Sequence, residues 1–157
     1  MTPRTLFHYT NLAHLPEIFA SGKLKLTNSN LVRPVNGRIE NNSFVSDSDN
    51  YRPVVWLTDS ISPLGHGIDQ PGIMEERDKT RIRIEVAVTP ELHIRKWMDW
   101  ADENSMDPEW RAALTNRKAY KTWYVTEEEI PLSAVVEIYD RVDRRRIEVP
   151  RMESVAV

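Results

Sequence analysis

The sequence predicts a mixed α+β fold on three observations. The run Arg81-Ile82-Arg83-Ile84-Glu85-Val86-Ala87-Val88 places an apolar residue at every second position, the period of a strand with one covered face. Pro16 and Gly22 mark the start and stop of one helix instead, and Asp107-Pro108 the start of another. The resulting order is strand, helix, strand, loop, strands, helices, strands, which lacks the regular alternation of a doubly wound sheet.

The first strand is apolar at Leu6 and Phe7 and ends in His8, Tyr9 and Thr10. Its period of two puts His8 and Thr10 on one face and Tyr9 on the other. Pro16 is tolerated only in a first helical turn, where its missing N–H costs no hydrogen bond, so a helix starts near Leu15. Gly22 suits the left-handed position that closes it, and Lys23 begins a second extended run. Thr27 to Asn50 is rich in Asn, Ser and Asp with few apolar residues, and reads as a long loop, either a functional lid or a surface excursion. Pro53–Ser60 is a short apolar run between turn residues and reads as a buried strand. After a second loop, Ile61 to Asp78, the alternating strand turns Ile82, Ile84, Val86 and Val88 inward and Arg81, Arg83 and Glu85 the other way. Leu92, Ile94, Trp97, Met98 and Ala101 recur at helical spacing and predict one amphipathic helix between Pro90 and Asn104. Asp107-Pro108 supplies an N-cap and a first-turn proline for a further helix carrying Trp110 and Leu114. Thr122–Val125 and Ala134–Tyr139 read as late strands, with Ile147–Val149 a third.

The chain of 157 residues has no low-complexity linker on which to divide, so residues 1–157 read as one domain. The absence of cysteine excludes disulfides, iron–sulfur clusters, thiolate zinc sites and a cysteine nucleophile. With no signal-peptide pattern and no apolar segment near bilayer length, the expectation is a soluble cytoplasmic protein without membrane contact. A net charge of −3 with 29% charged residues offers no global attraction to phosphate backbones. The basic cluster Asp140–Arg146 contains two aspartates, and reads as a salt-bridged edge or a local phosphate patch. His8, His14, His66 and His93 have no zinc-ligand spacing, and phosphate-loop, Rossmann and nucleophile-elbow motifs are absent, so no metal ligand is assigned.

His8-Tyr9-Thr10, the helix residues Leu15 to Ile18, and Gly22-Lys23-Leu24 together resemble the opening of ADP-ribosyltransferase domains, especially the DNA-modifying toxin branch. Those chains begin with a His-x-Thr strand end, an Asn-Leu-x-x-Ile-like helix and a Gly-Leu turn. The similarity covers about the first 25 residues, with weaker echoes at Val54–Ser60 and Lys121–Ile138. The resemblance implies a split antiparallel β core with flanking helices, NAD as a substrate, and transfer of ADP-ribose to a protein or nucleic-acid acceptor. A toxin, phage or defence role is typical of such a compact domain. It implies that His8 bonds the adenosine ribose with Thr10 beside it. Tyr9 sits next to them, and Trp56, with Thr58 on its face, walls the nicotinamide. The transfer breaks a glycosidic bond through an oxocarbenium-like state, which a nearby carboxylate stabilises. In many members that glutamate precedes a short apolar run like Trp123-Tyr124-Val125, where this chain has Thr122. The carboxylate would then come from Glu127 or Glu129, which share a face if the strand continues.

Each assignment has a plainer counterpart. His8 can simply cap a strand end, and Tyr9 and Trp56 can be core. Arg81 and Arg83 can bind a pyrophosphate through their planar forks, or pair with carboxylates on the adjoining strand; Arg52 is a similar case. Two other functions compete with the transferase. One is an NAD-, nucleotide- or nucleic-acid-end-binding module of the same fold that lost its glutamate. The other is a protein-interaction domain using its five tryptophans, although Trp97, Trp100 and Trp110 at helical spacing are more simply core. RNA 2′-phosphotransfer on a related fold lacks its set of arginines and histidines here.

Overall fold

Alternating apolar positions build a seven-stranded sheet, and residues displaced by one position along its strands build a second core on its back. The computed structural model describes residues 3–31, 37–40, 43–46, 52–69 and 72–151, with backbone alone at 37–40 and 43–46. In chain order the strands are β1 (Thr5–Thr10), β2 (Lys23–Leu24), β3 (Gly37–Glu40), β4 (Ser43–Ser46), β5 (Val55–Thr58), β6 (Ile82–Ala87), β7 (Arg95–Lys96), β8 (Trp123–Thr126), β9 (Ile130–Pro131), β10 (Val135–Asp140) and β11 (Arg145–Ile147). The helices are α1 (Leu15–Ser21), α2 (Trp97–Glu103) and α3 (Pro108–Thr115). The large sheet has the order β11-β10-β6-β1-β5-β8-β7, and neighbouring strands run antiparallel throughout. The α+β class read from the sequence holds. No helix among the described residues is long and apolar enough to cross a membrane.

Residues directly opposite in a ladder share a face. Leu6, His8 and Thr10 lie opposite Val86, Ile84 and Ile82, and Ile84 in turn lies opposite Ile138. This face buries Leu6, Ile82, Ile84, Val86, Val55, Leu57 and Ile138 with Leu15 and Ile18 of α1. Phe7 pairs with Thr58, and Thr58 with Trp123, so the opposite face carries Phe7, Trp56, Thr58, Trp123 and Val125. Over its β5–β8 half, Trp97, Trp100 and Ala101 of α2 close a second core, joined by Trp110 and Leu114 of α3. Trp97 and Trp123 meet edge to face at 5.2 Å, a favourable arrangement of ring quadrupoles.

The helix signals near the N-terminus are realised. Gly22 has φ 76° and returns its N–H to Ile18, closing α1. The Asp107 side chain accepts from the Trp110 backbone N–H and caps α3, with Pro108 at its start. Two predicted elements differ. The single helix expected between Pro90 and Asn104 is a 3-10 turn at Pro90–Leu92, a left-handed His93 with φ 50°, the edge strand β7, and only then α2. The periodic apolar residues serve two cores: Leu92 joins the first and Trp97, Trp100 and Ala101 the second, so the chain must turn around the sheet edge between them. The Asn/Ser-rich stretch expected as a loop contains the β3–β4 hairpin, with Gly37 to Glu40 opposite Ser46 to Ser43. Residues 32–36, 41–42 and 47–51 lie outside the described part.

Arg81 also departs from the pattern. It precedes β6, and its guanidinium turns to Asp140, which lies opposite Ile82 at the end of β10. Nε and Nη2 reach the two carboxylate oxygens at 3.0 and 2.9 Å, with Arg81 7% and Asp140 1% exposed. It therefore does not share the face of Arg83. Burial alone pushes the Asp140 carboxyl up, but the Arg81 fork and the backbone N–H groups of Asp143 and Val142 outweigh it and hold it below its ordinary value. Removing one partner of such a buried pair costs about 3–5 kcal/mol, because the other charge is left uncompensated.

Candidate functional site

The site begins where β1 and β5 part. β1 pairs with β6 along its whole length from Thr5 to Thr10, but with β5 only at Phe7 opposite Thr58. Beyond that pair the start of β5 turns to another partner: Val54 and Thr27 exchange backbone hydrogen bonds of 2.7 and 2.9 Å. The His8 ring takes the place of the missing ladder bond, its Nδ1 lying 2.8 Å from the Trp56 carbonyl oxygen.

That contact assigns the tautomer. A carbonyl only accepts, so Nδ1 carries the proton and Nε2 keeps a lone pair. Burial lowers the His8 pKa below 6.5; the Trp56 carbonyl pulls the other way, and His14 adds to the lowering. The ring is thus neutral at neutral pH, with Nε2 as its one acceptor. Beside it, the buried Thr10 hydroxyl lies 3.0 Å from Nδ1 of His14, and the Asn11 side chain accepts from the His14 backbone N–H at 2.9 Å, fixing the turn into α1.

Trp56 and Thr58 reach this site only through backbone. Their side chains lie on the opposite face from His8 and Thr10, as the single β1–β5 pair requires. The Trp56 ring sits against Trp123 at 5.6 Å and Trp97 at 6.4 Å and donates Nε1–H to the Asn28 carbonyl at 2.9 Å. The Thr58 hydroxyl donates to that of Thr122 at 2.9 Å, and Thr122 donates on to the Ala119 carbonyl at 2.7 Å. Tyr9, on the Phe7 face, directs its hydroxyl to the carbonyls of Ser60 and Ile61. Burial raises its pKa against the opposing pull of Arg83 and Arg141.

The glutamates are drawn apart. β8 ends at Thr126, so the continued strand that would align Glu127 with Glu129 does not form. Glu127 pairs with Arg52 at 2.9 Å, Glu129 with Lys23 at 2.8 Å and Glu128 with His93 at 3.3 Å. Thr126 lies opposite Val55, so Glu127 follows the end of β8 that adjoins the opening between β1 and β5, whereas Thr58 and Thr122 belong to the far end.

Sequence reasoning missed the Asn28 carbonyl that holds Trp56, and His66, whose Nδ1 accepts from Trp123 Nε1 at 2.9 Å; the closure of Arg81 on a carboxylate of the adjoining strand was one of its two readings, and the structure identifies that carboxylate as Asp140. All three contacts span long sequence separations and leave no trace in local spacing. No group of three or more metal-ligating side chains occurs among the described residues. A surface depression lined by Val136, Glu137, Arg146 and Ile147 lies at the β10–β11 edge, away from His8. Chemically, the place where β1 and β5 part carries a neutral imidazole, a buried threonine hydroxyl within hydrogen-bond distance of His14 Nδ1 and, after the neighbouring end of β8, one carboxylate paired with an arginine. No protein-family model, curated protein or solved structure matches this chain.

Proposed function

We propose that the chain is an NAD-dependent ADP-ribosyltransferase with a split antiparallel β core, transferring ADP-ribose to a macromolecular acceptor. The observation that carries this reading is His8 at the parting of β1 and β5, neutral, with Nδ1–H given to the Trp56 carbonyl and Nε2 left as an acceptor. A ribose hydroxyl is the complementary donor, and burial strengthens such a bond. Thr10 lies on the same face two residues on, as a second polar group for the ribose. Glu127 is the better carboxylate of the two, because it follows the strand end beside Val55 while Glu129 is held to Lys23 on β2. In the free protein Arg52 neutralises Glu127, so the developing ribosyl cation would have to compete with or displace that guanidinium. Trp56 contributes through its carbonyl, with its ring on the other face. Arg81 is engaged by Asp140 and is left out of the pyrophosphate role.

A second reading, a binding module of the same fold without turnover, is favoured by Thr122. Its hydroxyl is tied to Thr58 and Ala119 at the place where the resemblance calls for a glutamate.

Proton NMR of NAD mixed with the full chain, with and without cell extract, separates the two. Release of nicotinamide by wild type, abolished in His8→Ala and reduced at least about 100-fold in Glu127→Gln, is the outcome expected of the transferase. Broadened NAD signals without nicotinamide release would establish the binding module. Unchanged NAD signals throughout would overturn both.

A further inference from the structure

The sheet face opposite His8 has no helix over β1, β6 and β10: α1 packs in the first core, and α2 and α3 over the β5–β8 half. Its residues form two rows across these strands. In the first, Tyr9 lies opposite Arg83 and Arg83 opposite Tyr139, with Arg146 of β11 next in line. In the second, two residues along each strand, Phe7 lies opposite Glu85 and Glu85 opposite Glu137. The six residues of β1, β6 and β10 are all partly exposed.

Neither row is balanced within one copy of the chain. Arg83 lies over the Tyr139 ring at 4.8 Å and over the Phe7 ring at 5.7 Å, and no carboxylate pairs with it among the described residues. Glu85 faces a second carboxylate directly across the ladder, an arrangement that costs stability. Arg146 relieves Glu137 at 3.4 Å, but no cation pairs with Glu85 among the described residues. β6 thus presents one guanidinium and one carboxylate without opposite charges, about 7 Å apart on the same face.

We propose that this face docks on the same face of a second copy of the chain, sheet on sheet, about a two-fold axis that lies in the interface between the two rows. Such an axis sets each strand over its own counterpart with the rows exchanged. Arg83 then meets Glu85 of the second copy and Glu85 meets its Arg83, while Tyr9 meets Phe7, each pair occurring twice. Aligned sheets pack about 10 Å apart with a twist of about 30°, and β6, the middle strand of the three, is where that twist displaces side chains least. A wholly acidic or wholly basic partner would satisfy one row and be repelled by the other, whereas the chain itself carries both in the required order. The exposed Ile61, whose carbonyl accepts from the Tyr9 hydroxyl, extends the face at its rim. A face of roughly 20 Å on a side removes on the order of 1,000 Å² in total from two copies, the lower limit of a specific interface, so the dimer is reversible. The inference goes beyond the NAD reading and stands without it, since His8 occupies the other face of β1.

Sedimentation velocity of the full chain without NAD, from about 5 to about 500 µM and at low and high salt, tests it. The expected result is a monomer–dimer equilibrium that salt weakens. Arg83→Glu and Glu85→Arg each set like charges against each other across the axis, and each should weaken the dimer at least about tenfold, with thermal melting confirming that the variants are folded. Mixed in equal amounts the two variants should dimerise again, because one then supplies both anions and the other both cations. If Arg83→Glu does not melt cooperatively, Glu85→Arg against wild type decides. A chain that stays monomeric at about 500 µM in low salt overturns the proposal. So does a dimer that both variants leave unchanged, which would use another surface, or a mixture no more dimeric than its components.

Discussion

His8 shows how one side chain can be read at two depths. The sequence places it at a strand end with Thr10 on its face; its proton, however, is assigned by a carbonyl 48 positions away. Its lowered pKa has a consequence for stability. Above about pH 6.5, the ordinary histidine value, both folded and unfolded chains hold the ring neutral. As pH falls below that value the unfolded chain takes up the proton first, so the fold loses stability until the folded-state ring also titrates. Melting temperatures of wild type and His8→Gln, compared downward from neutral pH, should converge or cross because only the wild type carries this loss. A constant gap between them would show that His8 is not held neutral by the fold. Arg81 is the converse case: the alternating pattern assigns it to the face of Arg83, but it lies before the strand proper, and a buried carboxylate recruits it to the other side.

At the scale of elements, the signals that survived are those satisfied by neighbours in sequence. Gly22 closes α1 because a positive φ lets its N–H return to Ile18, and Asp107 caps α3 because its carboxylate reaches an N–H three residues on. A Cβ built on Gly22 meets nothing within 4 Å, so Gly22→Ala should cost only the backbone strain of φ 76°. That is about 1–2 kcal/mol in a denaturant melt, with Gly22→Asn milder. A much larger loss would mean that the turn makes contacts beyond its backbone. The predicted Pro90–Asn104 helix failed for the opposite reason. Helical spacing records that residues are apolar, and cannot record that Leu92 and Trp97 belong to cores on opposite faces of one sheet.

Over the whole molecule, the seven-stranded sheet is the shared wall of the two cores, so neither core can dissolve without exposing strands that the other needs. Unfolding followed by tryptophan fluorescence, which reports the Trp56, Trp97, Trp100, Trp110 and Trp123 side, and by far-UV circular dichroism should therefore give coincident transitions. Trp97→Ala, at about 4 kcal/mol, should shift both curves together. Separate transitions would mean that the two faces fold as independent units. All five tryptophans cluster in one core, Trp97, Trp100 and Trp123 buried and Trp56 and Trp110 partly so.

What the sequence determined by itself was the α+β class, the strands at β1, β5, β6, β8 and β10, the bounds of α1 and the start of α3, and the inward set Ile82, Ile84 and Val86. These follow from period, capping and turn chemistry, which act between residues a few positions apart. Tertiary structure alone decided which faces met: that Trp56 offers His8 a carbonyl and not a ring, that Glu127 and Glu129 diverge to Arg52 and Lys23, and that Tyr9, Arg83, Tyr139 and Arg146 align in one row. The reason is register. A strand pattern states what each face carries, but the pairing that brings two faces together is set by packing across the sheet, and a slip of one residue would exchange every one of these partners.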